Sequence, residues 1–330
     1  MVAFGLGEMP GTDLAVAADI IAGECSLMFL PQLPARGIAS EAVGRTLALM
    51  PDLPIDPRVR TWVLTARPQR ETRRLWDRLE ADLDECEAAW QQLDTLKIQV
   101  VGPWSLAATI ELSNGHRAVT DNGALRDITE SLIHGIAEHC SDLQRRFHCD
   151  IELQIDEPLV VALAAGSLAG TSDFDRISRI PQQVLGERLN LINDAFTDRC
   201  PIRLNCTEVQ PLWEVIQASG VGNISVNPAM LTTTADIDGL GHAIARGCRI
   251  GLGITSPGVT VDTTLERPRT LAQYVAKFWD KLGFDRLALP AAVDIHPVSG
   301  LAHCSALDAA AALKMARVVD EMIAKDAGDL

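Results

Sequence analysis

Short apolar runs separated by long amphipathic segments set the tightest limit on how this chain folds. The runs are Ala3–Gly7, Lys97–Val101, Ile151–Ile155, Ile202–Cys206, Asn223–Val226, Arg249–Ile254 and Arg286–Leu289. Five are followed directly by Gly, Pro, Asn or an acid and two by Thr, a pattern compatible with buried parallel strands. Between them, Gln69–Leu93 carries Leu75, Leu79, Leu83, Cys86, Trp90 and Leu93 three or four residues apart, with Arg, Asp and Glu between. That spacing predicts a helix with one apolar stripe. Asn122–Arg146 repeats it with Leu125, Ile128, Leu132 and Ile136.

Strands alternating with helices over 330 residues, with no low-complexity tract and no flexible linker, predict a single α/β domain of the (β/α)8 (TIM) barrel type. Seven strands are clear in the pattern. The eighth falls to Arg36–Ala39 or Arg60–Thr65, and the pattern does not choose between them. Phe29–Pro68 is proline-rich and reads as an irregular excursion over one barrel end.

Composition narrows the function classes. A net charge of −15 with no basic patch excludes a nucleic-acid partner, and the acidic residues are spread as a solubilising surface. No apolar run approaches the ~20 residues that span a bilayer, so no membrane association is expected. The start, MVAFGLGEMPG, lacks the basic opening of a signal peptide, and a cytoplasmic location is expected. The eight cysteines form no CxxC pair, so they read as small buried side chains in a reducing compartment.

A barrel of this kind carries its chemistry where the strands end. Glu8, Asp156, Glu157, Asn205, Cys206, Asn227, Thr255 and the stretch after Leu289 are therefore the candidates. The stretch LQIDEP (153–158) stands out, an apolar strand ending on two carboxylates and a proline. Acids favour helix N-termini and proline the first helical turn, so one of the two can cap the helix after Pro158. We read Asp156 as the binding group and Glu157 as the cap. The turn at Leu6, Gly7 and Glu8 either offers backbone groups to a substrate or is a tight strand-to-helix turn with Thr12 as N-cap. Cys206 either lines the pocket, as a reactive thiol, or is a buried strand-end residue. His296, His303 and Cys304 lie close together in sequence, but adjacent His303 and Cys304 point apart on a helix.

In this order, GLGEMPGTD (5–13), KIQVVGPWSLA (97–107), ELSNGHRAVTDNGALRD (111–127) and LQIDEPLV (153–160) resemble the catalytic barrel of cobalamin-independent methionine synthases. The likeness is to short, single-barrel members, and the implied fold is the methionine-synthase/uroporphyrinogen-decarboxylase-like barrel. It runs from near residue 3 to near residue 320. The family transfers a methyl group to the thiol of homocysteine, held as a thiolate by zinc. The resemblance implies that Asp156 contacts the substrate ammonium and that Cys206 lies beside its sulfur. Leu6, Gly7 and Glu8 would then hold the backbone groups. It implies a methyl donor that is methyltetrahydrofolate or a methyl-corrinoid, the latter delivered by a corrinoid protein.

The family's zinc ligands fall here on Leu204 or Asn205, Cys206, Asn227 and Ser299. Only Cys206 is a zinc-binding residue type, so the expectation is absent or weak zinc. The family's catalytic histidine, in an Asp-Ile-His motif after the strand Arg249–Ile254, meets Ile254-Thr255-Ser256-Pro257-Gly258 instead. Asp294-Ile295-His296 follows one strand later and is read as unrelated. The alternative function is a repurposed barrel that binds an amino-acid-like ligand.

Overall fold

The computed structural model describes residues 1–58, 61–170, 176–258 and 266–330. In chain order its strands are β1 (Met28–Phe29), β2 (Ile55–Pro57), β3 (Trp62–Leu64), β4 (Thr95–Val101), β5 (Ile110–Glu111), β6 (Asp150–Asp156), β7 (Ile202–Cys206), β8 (Asn223–Val226), β9 (Arg249–Thr255) and β10 (Val293–Pro297). The helices are α1 (Leu14–Glu24), α2 (Ala42–Ala48), α3 (Arg70–Trp90), α4 (Pro103–Thr109), α5 (Asn122–Phe147), α6 (Val160–Ala165), α7 (Gln182–Phe196), α8 (Trp213–Ser219), α9 (Thr234–Ala245), α10 (Glu266–Lys281), α11 (Leu289–Ala292) and α12 (Ala306–Asp326).

Seven strands form one parallel sheet in the order β1-β4-β6-β7-β8-β9-β10, curled in the manner of a TIM-like barrel. The run Ala3–Gly7 is not a regular strand but bonds to both edges of this sheet. Phe4 N donates to Ile295 O and Ile295 N to Val2 O, while Leu27 N donates to Ala3 O and Gln32 N to Gly7 O. Gly7 sits at φ +129°, where a Cβ would also strike Gln99, so only glycine fits this bend.

The helices form the outer layer, held by the stripes that the periodicity predicts. Leu75, Leu79, Leu83, Cys86 and Trp90 of α3 are buried, as are Leu125, Ile128, Leu132 and Ile136 of α5. Their polar faces carry ion pairs such as the cluster of Glu80, Asp84 and Glu87 around Arg146.

Three expectations need correction. Arg286–Leu289 is no strand: it forms a 3-10 turn capped by Asp285 and then enters α11. Pro290 follows as an early helical residue and could not donate to a central ladder. The last strand is β10, so Asp294-Ile295-His296 is its body and the last strand end lies at Pro297. Neither proposed eighth strand joins the main sheet. Arg36–Ala39 falls in two 3-10 turns. Within Arg60–Thr65, residues 62–64 form β3 of a separate three-stranded sheet with β2 and β5, and Arg60 lies outside the described residues. The excursion Phe29–Pro68 contains this small sheet's β2 and β3 together with α2.

The interior of the main sheet is polar. Alternation sends Lys97, Gln99, Gln154, Arg203, Asp294 and His296 inward, all buried, and leaves the aliphatic residues between them to pack against helices. Phe4 sits among these groups. Its ring centroid is 4.7 Å from the Arg203 guanidinium, 5.6 Å from Lys97 Nζ and 5.0 Å from the His296 ring.

Candidate functional site

A cleft of about 200 Å3 opens at the C-terminal ends of the strands, lined among others by Leu6, Glu8, Asp156, Asn205, Glu208 and Gly300. β6 delivers Asp156 at its last position, where the inward alternation of Glu152 and Gln154 brings it to the mouth. Register sets Asp156 beside Asn205 of β7. Both Asn205 Nδ2 and Gln154 Nε2 donate to Asp156 Oδ1, each at 2.8 Å. Among the described residues no hydrogen bond to Oδ2 is found, and Asp156 lines the cleft.

Gln154 is itself fixed. Lys97 Nζ donates to its Oε1 at 2.8 Å, and its Nε2 also donates to Leu6 O at 2.9 Å. Lys97 is fully buried, and that burial lowers its pKa to about 7 against the charges of Asp156 and Glu152. Asp156 stands above the ordinary carboxylate range because burial outweighs its two hydrogen bonds and Lys97. Glu8 is raised as well, first by burial and then by the charges of Glu208 and Asp156. Three carboxylates therefore crowd one small opening.

Glu8 packs against the turn after β10: Leu301 N donates to Glu8 O, and a Cβ on Gly300 would lie 2.6 Å from Glu8 Oε2. The carbonyls of Leu6 and Gly7 are engaged by Gln154 and Gln32. Asp13, rather than Thr12, caps α1, accepting from Val16 N.

Glu157 also borders the cleft, but its carboxylate is committed elsewhere. It is buried against the start of α4, after the neighbouring strand β4, where Oε1 accepts from Trp104 N (3.0 Å) and Oε2 from Ser105 N (2.8 Å) and Ser105 Oγ (2.6 Å). It thus caps α4, the helix of VGPW, and not the helix after Pro158 as expected. Gly102 makes the approach possible, since a Cβ there would fall 2.3 Å from Glu157 Oε1. Burial lifts Glu157 to about 7 despite these donors. Trp104 is buried too, with Nε1 donating to Leu185 O, so its ring offers no open stacking face.

The positions matching the family's metal ligands do not converge. Inward alternation in β7 falls on Arg203 and Asn205, so Leu204 and Cys206 turn to the helices. Cys206 lines a narrow crevice with Leu189, Val215 and Ile216. Burial, then the charge of Asp156, pushes its thiol up to about 12. Asn227 caps the turn Pro228–Met230 through Ala229 N, and Ser299 Oγ donates to Gly300 O. His296 lies inside β10 with Nδ1 on Pro297 O, while His303 is exposed. Among the described residues no group of three His, Cys, Asp or Glu is placed to hold a metal ion. A thiol, an amide and a hydroxyl on separate sides of the strands do not fit zinc. A thiol reagent at neutral pH should leave Cys206 unlabelled in the folded protein and label it after unfolding. Rapid native labelling, read by peptide mass spectrometry, would mean that the side chain turns into the cleft.

Sequence reasoning missed Glu208, Gln154 and Lys97. For Gln154 the signal was the period of two in Glu152-Leu153-Gln154-Ile155-Asp156, which marks one polar face even inside an apolar run.

No family model matches the sequence, and no curated protein matches it either. The fold is similar to that of a B12-independent methionine synthase from Shewanella sp. W3-18-1, solved in complex with selenomethionine. The TM-score is 0.51 at 13% identity, covering 80% of this chain and 71% of that one. The likeness is one of fold, a TIM-barrel-like arrangement of strands and helices. No helix among the described residues is long and apolar enough to cross a membrane.

Proposed function

We propose that the chain is a closed (β/α)8 barrel whose acidic cleft takes the ammonium of a small amino acid of the homocysteine or methionine kind. The observation that carries this reading is Asp156. It is held by Asn205 and Gln154 on one oxygen and lines a cleft that already crowds it with Glu8 and Glu208. Carboxylates raised by burial and by one another are relieved by a cation, and an ammonium supplies both charge and donors. The volume lies below the ~300–1,000 Å3 of sites for drug-sized ligands, which suits an amino acid. The structural neighbour's selenomethionine complex supports the same ligand class. Methyl transfer to a thiol is the family's chemistry, but the residues here do not fit its zinc. The role proposed for the cleft is therefore ligand binding. A methyl donor, folate or corrinoid, and a corrinoid partner belong to the transfer reading alone.

Calorimetry with methionine and with homocysteine tests the proposal. Asp156→Asn keeps the shape and removes the charge, and should weaken binding by about 10- to 100-fold, the worth of one charge-assisted hydrogen bond. Equal affinity in the variant, or no binding of either amino acid to the wild type, sinks it. Affinity should also fall as the pH drops through the raised pKa of Asp156, at higher pH than the ~4 of an ordinary carboxylate. Loss of affinity only at or below the ~4 of an ordinary carboxylate would contradict the role.

A further inference from the structure

Below the cleft, three buried polar atoms from neighbouring strands converge over one glycine. Arg203 Nη1, Ser225 Oγ and His296 Nε2 have no hydrogen-bond partner among the described residues, and all three residues are 0% exposed. A Cβ on Gly251 would lie 2.6 Å from Ser225 Oγ, 3.0 Å from Arg203 Nη1 and 3.0 Å from His296 Cδ2. Two more unpaired hydroxyls, of Thr207 and Thr255, lie toward the strand ends. A Cβ on the next inward glycine, Gly253, would be 3.0 Å from Thr207 Cγ2 and 3.1 Å from His296 Cε1. Buried polar atoms left unmade are costly, and several at one place call for a common partner.

The atoms define that partner. His296 Nδ1 lies 2.8 Å from Pro297 O, which can only accept, and the ring also meets the Gly251 carbonyl; with the proton on Nδ1, Nε2 presents a lone pair. Arg203 Nη1 can only donate, and Ser225 Oγ can do either. The partner must therefore accept from Arg203 and donate to His296. A metal ion or an ammonium cannot accept, and a fully ionised carboxylate cannot donate. An anion is disfavoured further because Arg203 is already paired with Glu152 (2.6 Å) and Asp294 (2.8 Å). A neutral group that both accepts and donates at one atom meets these demands, and a hydroxyl is the smallest.

We propose that Arg203, Ser225 and His296 form a buried hydroxyl receptor in the barrel, made possible by Gly251 and filled by one ordered water. The assignment is independent of what the cleft above binds. Water is a fitting occupant, since buried waters characteristically make about three hydrogen bonds to otherwise unpaired groups.

A high-resolution crystal structure of the full chain, paired with oxygen-17 relaxation dispersion of the solution, tests it. The expected result is a single isolated peak within hydrogen-bond distance of all three atoms, together with a long-lived internal water. Gly251→Ala places a methyl among the three atoms and should remove the peak and one long-lived water. If that variant does not fold, Ser225→Ala, which deletes one of the three partners, should shorten the residence of the same water. A peak continuous with carbon density would keep the receptor and transfer the hydroxyl to a ligand, identified by native mass spectrometry. A direct bond from Arg203 Nη1 to His296 Nε2 with no peak would overturn the proposal, as would a peak unchanged in Gly251→Ala.

Discussion

Asp294→Ala is expected to destabilise the fold by about 3–5 kcal/mol, the cost of leaving buried charges without their partner. Asp294 lies inside β10, fully buried, and accepts from Arg203 Nη2 at 2.8 Å, from Arg249 at 2.9 and 2.5 Å, and from Val2 N at 3.0 Å. Burial alone would raise its pKa, but the Arg249 hydrogen bond and the charges of Arg203 and Arg249 outweigh it and hold the carboxyl low. The sign of the pH effect follows. A depressed folded pKa stabilises above the unfolded value of ~3.9, and this contribution is lost as pH falls through the folded value. Alanine leaves Arg203 with Glu152 alone and removes the acceptor for the residue 2 amide. Urea unfolding of both proteins at pH 7 measures the loss, and a difference under about 1 kcal/mol would mean that water replaces the carboxylate.

Glu157→Gln should cost about 1–3 kcal/mol, although the two side chains have the same shape. The carboxylate accepts on both oxygens, from Trp104 N, Ser105 N and Ser105 Oγ. An amide must aim its NH2 at one of these donors and leave a buried N–H of α4 unmade. The pH profile separates this from a packing defect. Because burial raises Glu157 to about 7, the folded state holds the proton more tightly than the unfolded chain. Its contribution to stability is complete below about pH 4.5 and declines as pH rises through about 7. Glutamine has no proton to release, so the gap between wild type and variant should narrow across that window. A constant gap would remove Glu157 as the titrating group.

The parts of the fold that were legible in the sequence share a physical reason. β7 and β8 match their expected bounds because aliphatic residues recur within each run, Ile202 and Leu204 in one and Ile224 and Val226 in the other. The helices α3 and α5 match because a long apolar stripe leaves few alternatives. β10 was hidden since alternation puts Asp294 and His296 inside, so its run looks polar, while Arg286–Leu289 looks apolar and ends at Pro290. β1, with two residues, is too short for any period. At the site, Asp156 was visible because an acid ending a buried strand demands a reason. Cys206 was misleading, because one step along a strand exchanges the barrel mouth for the helical layer. Glu208 and Lys97 carry no local signal, and only the assembled sheet brings them to Asp156.

The segment at residues 2–9 has a consequence for how the protein is made. It bonds to β10, and the Val2–Asp294 pair is separated by 292 positions. At ~5–20 residues per second, the ribosome needs about 15–60 s between the two. Throughout that interval β4 to β9 can curl and pack while the partner of Phe4 does not yet exist. The growing chain then exposes an unpaired strand edge over a polar interior, the kind of surface that pairs with the wrong neighbour. Yield in the cell should accordingly respond to translation speed and chaperone supply more than native stability suggests.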